Sequence, residues 1–383
     1  MVSLMLWSLL IQEEPLKRLL NMLQNVTPPP PPPPHTRSHI LPPIDARHVP
    51  KVAVVVPVYN VAPYLRECLD SLLAQTYTNF TIVVVDDGST DESGKILDEY
   101  IEKIPYFDVI RQNNGGISSA RNSALAYIEK DGTFEYVAFV DSDDKVLPEF
   151  LAHLVRHAIQ TQADITVCSL FTFNDNSGKM KIEGLIQATR IIDREEFVEL
   201  IFSTQRWDHA CGAGGMVWKK LFKASVIKGI RFPCDRDIVE DELFCLLVSR
   251  GAKIIAFLSE ALYCYRKRTN SAICNERFNL QLFKGRALCI EVAKQLSDHS
   301  AQIAAAGFAN VAVNLCKNER DFLNVDLKPQ EALVIEAAKK RFIRRKTLNL
   351  YRMFCNCPEI SRAYKLCRRV IKTQGAMWFK GFG

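Results

Sequence analysis

Three carboxylates fall within four residues at Asp141-Ser142-Asp143-Asp144, directly after the apolar run Tyr136 to Val140. Gathered at a strand end they repel one another, and a divalent cation relieves that repulsion. Mg²⁺ or Mn²⁺ takes carboxylate oxygens together with substrate phosphates, so such a cation would grip a diphosphate and neutralise its charge as it leaves. An Asp-rich turn capping the next helix accounts for the same tetrad. A second acidic strand end, Asp86-Asp87-Gly88-Ser89-Thr90-Asp91, carries two readings as well. Gly88 allows a turn, and Ser89 or Asp91 can cap a helix starting at Glu92. Adjacent Asp86 and Asp87 exceed what capping needs: one of them can accept from a ribose hydroxyl or a base N–H, with Tyr59 nearby to stack on the base.

Val239-Glu240-Asp241-Glu242 puts three acids at a helix start, where the macrodipole stabilises them. Capping explains these acids; so does a general base, Glu240 or Asp241, that takes the proton of an acceptor hydroxyl opposite a leaving diphosphate. Tyr263 to Tyr265 alternates as a strand and then presents Arg266, Lys267 and Arg268 before Asn270-Ser271. Such cations suit an electrostatic clamp for a diphosphate or a solvated strand end. Trp218-Lys219-Lys220-Leu221-Phe222 is a further candidate without an assigned role. Gly88 to Lys95 imitates a phosphate-binding loop, but five residues separate Gly88 from Gly94-Lys95 and Ile96 stands where Ser or Thr is required. With Gly-x-Gly-x-x-Gly absent too, the NTPase and simple dinucleotide-binding classes are excluded.

The elements that must hold these groups alternate. Strands are expected at Val52 to Val58, Thr81 to Val85, Phe107 to Ile110, Tyr136 to Val140 and Ile165 to Cys168. Helices fall between them at Pro63 to Gln75, Glu92 to Lys103, Ile117 to Glu129 and Pro148 to Thr161. Near-continuous Val, Ile and Phe strands predict a mostly parallel α/β sheet covered on both faces. Ligands of such sheets bind outside the carboxyl ends of the strands. Four ends collect there: Pro57-Val58-Tyr59-Asn60, Asp86-Asp87, Asn113 through Arg121, and Asp141 to Asp144. After about residue 170 the alternation weakens. Asp193-Arg194-Glu195-Glu196 reads as a capping box, Glu240 to Ser249 as a helix, and Lys253 to Leu258 and Ala261 to Tyr265 as strands. The chain beyond Glu276 reads as helical.

The chain has 383 residues, 48% hydrophobic and 24% charged, which excludes a mainly disordered or fibrous protein. Its net charge of +6 hides an asymmetry: residues 339–383 hold 13 Lys and Arg against Glu359 alone. That tail interleaves Phe342, Leu350, Tyr351 and Phe354 with cations, as helices on anionic membranes do. No nucleic-acid motif accompanies it. Twelve scattered cysteines with no Cys-x-x-Cys point to reduced thiols and against a zinc site. Met1 to Ile11 is apolar yet too short to span a bilayer, and suits an amphipathic docking segment. Seven prolines, Pro28 to Pro34, form an extended spacer. The expected divisions are an N-terminal segment, 1–50; a catalytic domain, 51–275; and a helical region with the basic tail, 276–383.

Taken together, Val54 to Asn60, Ser71 to Tyr77, Val84 to Asp91, Asn114 to Asn122, Phe139 to Asp144, Glu240-Asp241 and Tyr265-Arg266 resemble the family 2 glycosyltransferases of bacterial polysaccharide assembly. The likeness covers roughly Lys51 to Ser271 and implies the GT-A fold. Position by position it implies base contact from Tyr59 and Asp87, nucleotide contact from Arg121, ribose contact from Asp141, metal ligation by Asp143, and Asp241 as the base. Pro57, Asp86 and Arg266 complete the implied donor-binding set, and Mn²⁺ or Mg²⁺ is the implied cofactor. The implied activity is an inverting transfer from a nucleotide-diphosphate sugar, expected to be a UDP-sugar, to a glycan or lipid-linked acceptor. Cell-surface polysaccharide synthesis is the expected setting, in the cytoplasm with peripheral contact at an anionic inner membrane face and no nucleic-acid partner. Processive synthases of similar sequence carry Gln-x-x-Arg-Trp and spanning helices; here only Gln205-Arg206-Trp207 remains, which favours one sugar per encounter. A sugar nucleotidyltransferase would open with a glycine-rich basic loop, which Pro57-Val58-Tyr59-Asn60 does not supply. An inactive scaffold of the same fold is the alternative.

Overall fold

The computed structural model describes residues 49–173, 180–183, 189–202, 215–234, 239–268, 276–318 and 333–335. The segment Met1 to Ile11, the polyproline run, Gln205-Arg206-Trp207, Asn270-Ser271 and the basic tail lie outside the described residues.

Strands β1 (Val52–Val58), β2 (Phe80–Asp86), β3 (Phe107–Arg111) and β4 (Tyr136–Phe139) alternate with helices α1 (Ala62–Leu73), α2 (Ser93–Ile101) and α3 (Ile117–Asp131). Every residue of β1, β2 and β4 is buried, as strands covered on both faces require. They pair in parallel in the order β3-β2-β1-β4. Pro63 lies in the first turn of α1, where its missing N–H would have no helical partner anyway. Gly132 closes α3 in the left-handed conformation at φ 69°.

The second half adds β5 (Lys145–Val146), α4 (Phe150–Thr161), β6 (Ile165–Phe173), β7 (Met180–Glu183), β8 (Arg190–Ile192), α5 (Arg194–Phe202), β9 (Lys220–Lys223), α6 (Ala224–Ile227), α7 (Glu240–Ser249) and β10 (Ile255–Arg266). The full order is β3-β2-β1-β4-β9-β6-β10-β5, with β7 beside β6 and β8 beside β10. Among the described residues four pairings are parallel and five antiparallel, so the α/β class holds while the sheet is mixed rather than mostly parallel. β9 supplies two of the five antiparallel pairings. This four-residue strand, bounded by lysines and too short for a periodic signal, inserts antiparallel between β4 and β6. The two runs expected at 253–258 and 261–265 are one strand, β10, whose bulge near Ala261 absorbs the polar step at Ser259-Glu260. One arm of the capping box at Asp193 is present, its Oδ1 accepting from the Glu196 N–H at 2.9 Å, while the Glu196 carboxylate pairs with Arg190.

The described residues from 276 onward belong to a second compact unit. In it α8 (Glu276–Lys294) packs on α9 (Asp298–Asn318), with Leu288, Ile290, Ile303 and Phe308 buried. Among the described residues no helix is long and apolar enough to cross a membrane.

Candidate active site

β1 lies between β2 and β4, so the chain runs outward through β2 and β3 and returns on the other side of β1. That reversal is a topological switch point, where open sheets leave a ligand crevice. The β1–β4 ladder ends at Val55–Phe139, while β1–β2 continues to Val58–Asp86. Pro57 falls in the stretch unpaired with β4, where its missing N–H breaks no ladder bond to that strand.

The loop after β1 is fastened to the loop after β2 by Asn60. It adopts φ 49°, a left-handed conformation that Asn tolerates. Its Oδ1 accepts from the N–H groups of Thr90 (2.8 Å) and Asp91 (3.2 Å), and its own N–H donates to Ser89 Oγ at 3.2 Å. Asp91 then serves two helices: Oδ2 accepts from Ala62 N at 3.0 Å and Oδ1 from Ser93 N at 2.9 Å. Gly88, at φ 75°, lets the turn close, since a Cβ there would stand 2.9 Å from Asn114 N. Tyr59 projects beside this turn, 51% exposed and free to offer its ring face.

Asp86 and Asp87 point inward. Asp86 Oδ1 accepts from Ser89 N at 3.0 Å. Asp87, 2% exposed, accepts from Gly115 N (2.9 Å), Gly116 N (2.8 Å) and Gln112 Nε2 (2.7 Å), which fixes the start of α3.

One turn into α3, Arg121 is 1% exposed and joins three acids. Nη1 donates to Asp241 Oδ1 at 2.6 Å and reaches Glu240 Oε1 at 3.4 Å, and Nη2 donates to Asp141 Oδ1 at 3.1 Å. Burial alone would weaken its hold on the proton; the charges of Asp241, Asp141 and Glu240 outweigh this and raise its pKa. Nε has no partner among the described residues, and the Phe232 ring lies 5.2 Å away. Burial pushes Asp141 up to about 6 against the pull of Arg121, with Asp143 and Asp241 adding repulsion. Asp241 is held at both oxygens, because Oδ2 accepts from Val217 N at 3.2 Å. Glu240 is the more open of the pair, its side chain 27% exposed, and burial together with the charge of Asp241 pushes it up to about 7.

The tetrad after β4 divides its labour. Asp144, 1% exposed, accepts from Tyr263 Oη (2.7 Å) and Arg266 N (2.7 Å); burial first, then Asp143 and Asp141, hold its pKa well above the usual range. Tyr263 Oη in turn accepts from Asp141 N at 3.2 Å, a role that strand alternation alone did not reveal. Arg266 is 4% exposed, so it braces this loop rather than offering an open face. Its Nε donates to the Asp143 carbonyl at 2.7 Å, Nη2 pairs with Glu67, and the guanidinium lies 4.9 Å from the Tyr64 ring centre and 4.5 Å from that of Phe173. Arg268, more exposed, pairs with Asp143 Oδ2.

A Mg²⁺ or Mn²⁺ ion completed by substrate phosphates needs one or two protein carboxylates. Asp143, with Asp141 beside it, fits that number. Asp144 is already committed to Tyr263 and Arg266, and among the described residues no group of three or more metal-ligating side chains converges.

This sheet order, with acids at the carboxyl ends of β2 and β4, is the GT-A class of fold. S. aureus TarS 1–349, solved in complex with UDP-GlcNAc, superposes on this chain with a TM-score of 0.58 at 23% identity, covering 83% of this chain and 91% of that one. Residues 53–224 match the model of glycosyl transferase family 2. Glycosyltransferase GlyA of Streptococcus pneumoniae serotype 4 is 37% identical over 223 residues, 58% of this chain and 31% of GlyA. The uncharacterised glycosyltransferase EpsJ of Bacillus subtilis is 34% identical over 225 residues, 58% of this chain and 63% of EpsJ. The chain therefore spans between about a third and two thirds of the length of these relatives.

Proposed function

We propose that the protein is an inverting, non-processive glycosyltransferase that moves a sugar from a nucleotide diphosphate, a UDP-sugar, to a hydroxyl of a glycan or lipid-linked acceptor in cell-surface polysaccharide synthesis. One observation carries this reading: a single buried guanidinium, Arg121, ties the acid after β4 to the acid pair that opens α7. Donor-side and acceptor-side chemistry thus meet across one side chain. The UDP-GlcNAc complex of TarS supports a UDP-sugar as donor.

In this reading Tyr59 stacks on the base, and Asp141 accepts from the ribose with its orientation set by Arg121. Asp143, aided by Asp141, would hold Mn²⁺ or Mg²⁺, which when bound neutralises charge on the diphosphate. The acceptor hydroxyl gives its proton to the Glu240–Asp241 pair and attacks opposite the leaving diphosphate, so one displacement inverts the anomeric carbon. Asp87 contributes by fixing the loop that starts α3 rather than by an open carboxylate. The composition of residues 339–383 supports contact with an anionic membrane on the cytoplasmic side, which suits a lipid-linked acceptor.

Nucleoside diphosphate release from UDP-, GDP- and dTDP-sugars, measured with Mn²⁺ or Mg²⁺, tests the proposal. Metal-dependent release from a UDP-sugar, lost in Asp143→Ala and Asp241→Asn, is expected. Neither release nor donor binding under any metal would instead favour the inactive scaffold.

A further inference from the structure

The Asp143 carboxylate already has a cationic partner, and that partner is supplied by the protein. Arg268, just past the end of β10, places Nη2 on Asp143 Oδ2 while its guanidinium lies 5.2 Å from the Tyr64 ring centre. The side chains of Arg268 and Asp143 are 35% and 19% exposed, so the pair sits at the rim of the crevice and not in the core. Arg266, two residues earlier, cannot play the same part, since Glu67, the Asp143 carbonyl and two aromatic rings hold it.

We propose that Arg268 is an internal counter-ion that competes with the divalent cation for Asp143 and moves to the donor's diphosphate when that cation binds. The inference rests on the metal-dependent reading above. A guanidinium and a divalent ion on the same carboxylate oxygen exclude one another, both by contact and by like charge. Displaced, Arg268 stays within a side chain's reach of a diphosphate held by the same cation, and the planar guanidinium fork matches phosphate oxygens two at a time. The exchange makes metal and nucleotide binding cooperative. Metal alone must break the Arg268–Asp143 pair, whereas metal with nucleotide gives Arg268 a new partner.

The test is binding, read without turnover. Mn²⁺ alone is titrated into wild type, Arg268→Gln, Arg268→Lys and Asp143→Asn, following free Mn²⁺ by its electron paramagnetic resonance signal; UDP is then titrated at saturating Mn²⁺ by calorimetry. Arg268→Gln is expected to bind Mn²⁺ about threefold to fivefold tighter, the range of a partly exposed ion pair. The same variant is expected to bind UDP about tenfold more weakly. Arg268→Lys keeps the charge and falls between the two on both measurements. Thermal melting confirms that each variant folds. If Asp143→Asn loses Mn²⁺ while Arg268→Gln binds it no tighter than wild type, the inference fails and the metal site stands. If Asp143→Asn binds Mn²⁺ as wild type does, the metal reading fails and the inference falls with it.

Discussion

Two acidic strand ends, Asp86-Asp87 and Asp141 to Asp144, are used in opposite ways. After β2, Asp86 and Asp87 take their hydrogen bonds largely from backbone N–H groups, and they hold loops in place. After β4, Asp141 and Asp143 are neutralised by the side chains of Arg121 and Arg268. A carboxylate bonded to main chain is a permanent part of the fold. One paired with a side-chain cation can exchange that partner for a ligand. The difference separates scaffold from chemistry more sharply than the presence of Asp does.

Arg121→Ala tests the comparison most severely, since it strands three carboxylates together in a buried setting. Removing one side of a buried ion pair typically costs about 3–5 kcal/mol, and urea unfolding should show a loss of that size together with the loss of diphosphate release. Next in size is the contrast between Asp87→Asn and Asp143→Asn. Hydrogen bonds to charged groups contribute about 1.5–3 kcal/mol, so Asp87→Asn should lower stability by about 2 kcal/mol. Asp143→Asn should alter stability by less than about 1 kcal/mol, because its pair is partly exposed, while cutting release at least about a hundredfold. Equal stability losses in the two variants would break the comparison.

The pH dependence sharpens it further. Glu240, raised from 4.5 to about 7, keeps its proton in the native state across that window where the unfolded chain has lost it. Stability therefore falls as pH rises from about 4.5 to 7, and Glu240→Gln should flatten this slope in urea midpoints taken at pH 5 and pH 8. If Glu240 is the base, the rise of rate through about pH 7 also disappears in that variant. Smallest is Tyr59→Ala: stacking on a base is worth about 1–3 kcal/mol, so the donor KM should rise about fivefold or more with no shift in melting temperature.

β1, β2 and β4 are legible because Val52–Val58, Phe80–Asp86 and Tyr136–Phe139 are near-continuous apolar runs, and the Asp193 N-cap is a local pattern. β9 is not legible, since its four residues become a strand only between β4 and β6. The site divides along the same line. Spacing places Asp141, Asp143, Glu240 and Asp241 as candidates, but nothing local says that Arg121 reaches acids 20 and 120 residues away. Nor does it say that Arg266 turns inward while Arg268 meets Asp143, since strand alternation gives both the same side. Asn60 carried a readable signal, an Asn directly after a strand, whose partners lie about 30 residues on.

The late position of β9 also sets a timetable for synthesis. β4 is complete at Phe139, but the strand that covers its outer edge ends at Lys223, roughly 80 residues further along the chain. At about 5–20 residues per second the nascent protein carries an open sheet edge for about 4–16 s. A fragment that stops before Lys220 keeps that edge permanently and would be expected to self-associate. The match to the family model closes at residue 224, just where the edge is sealed.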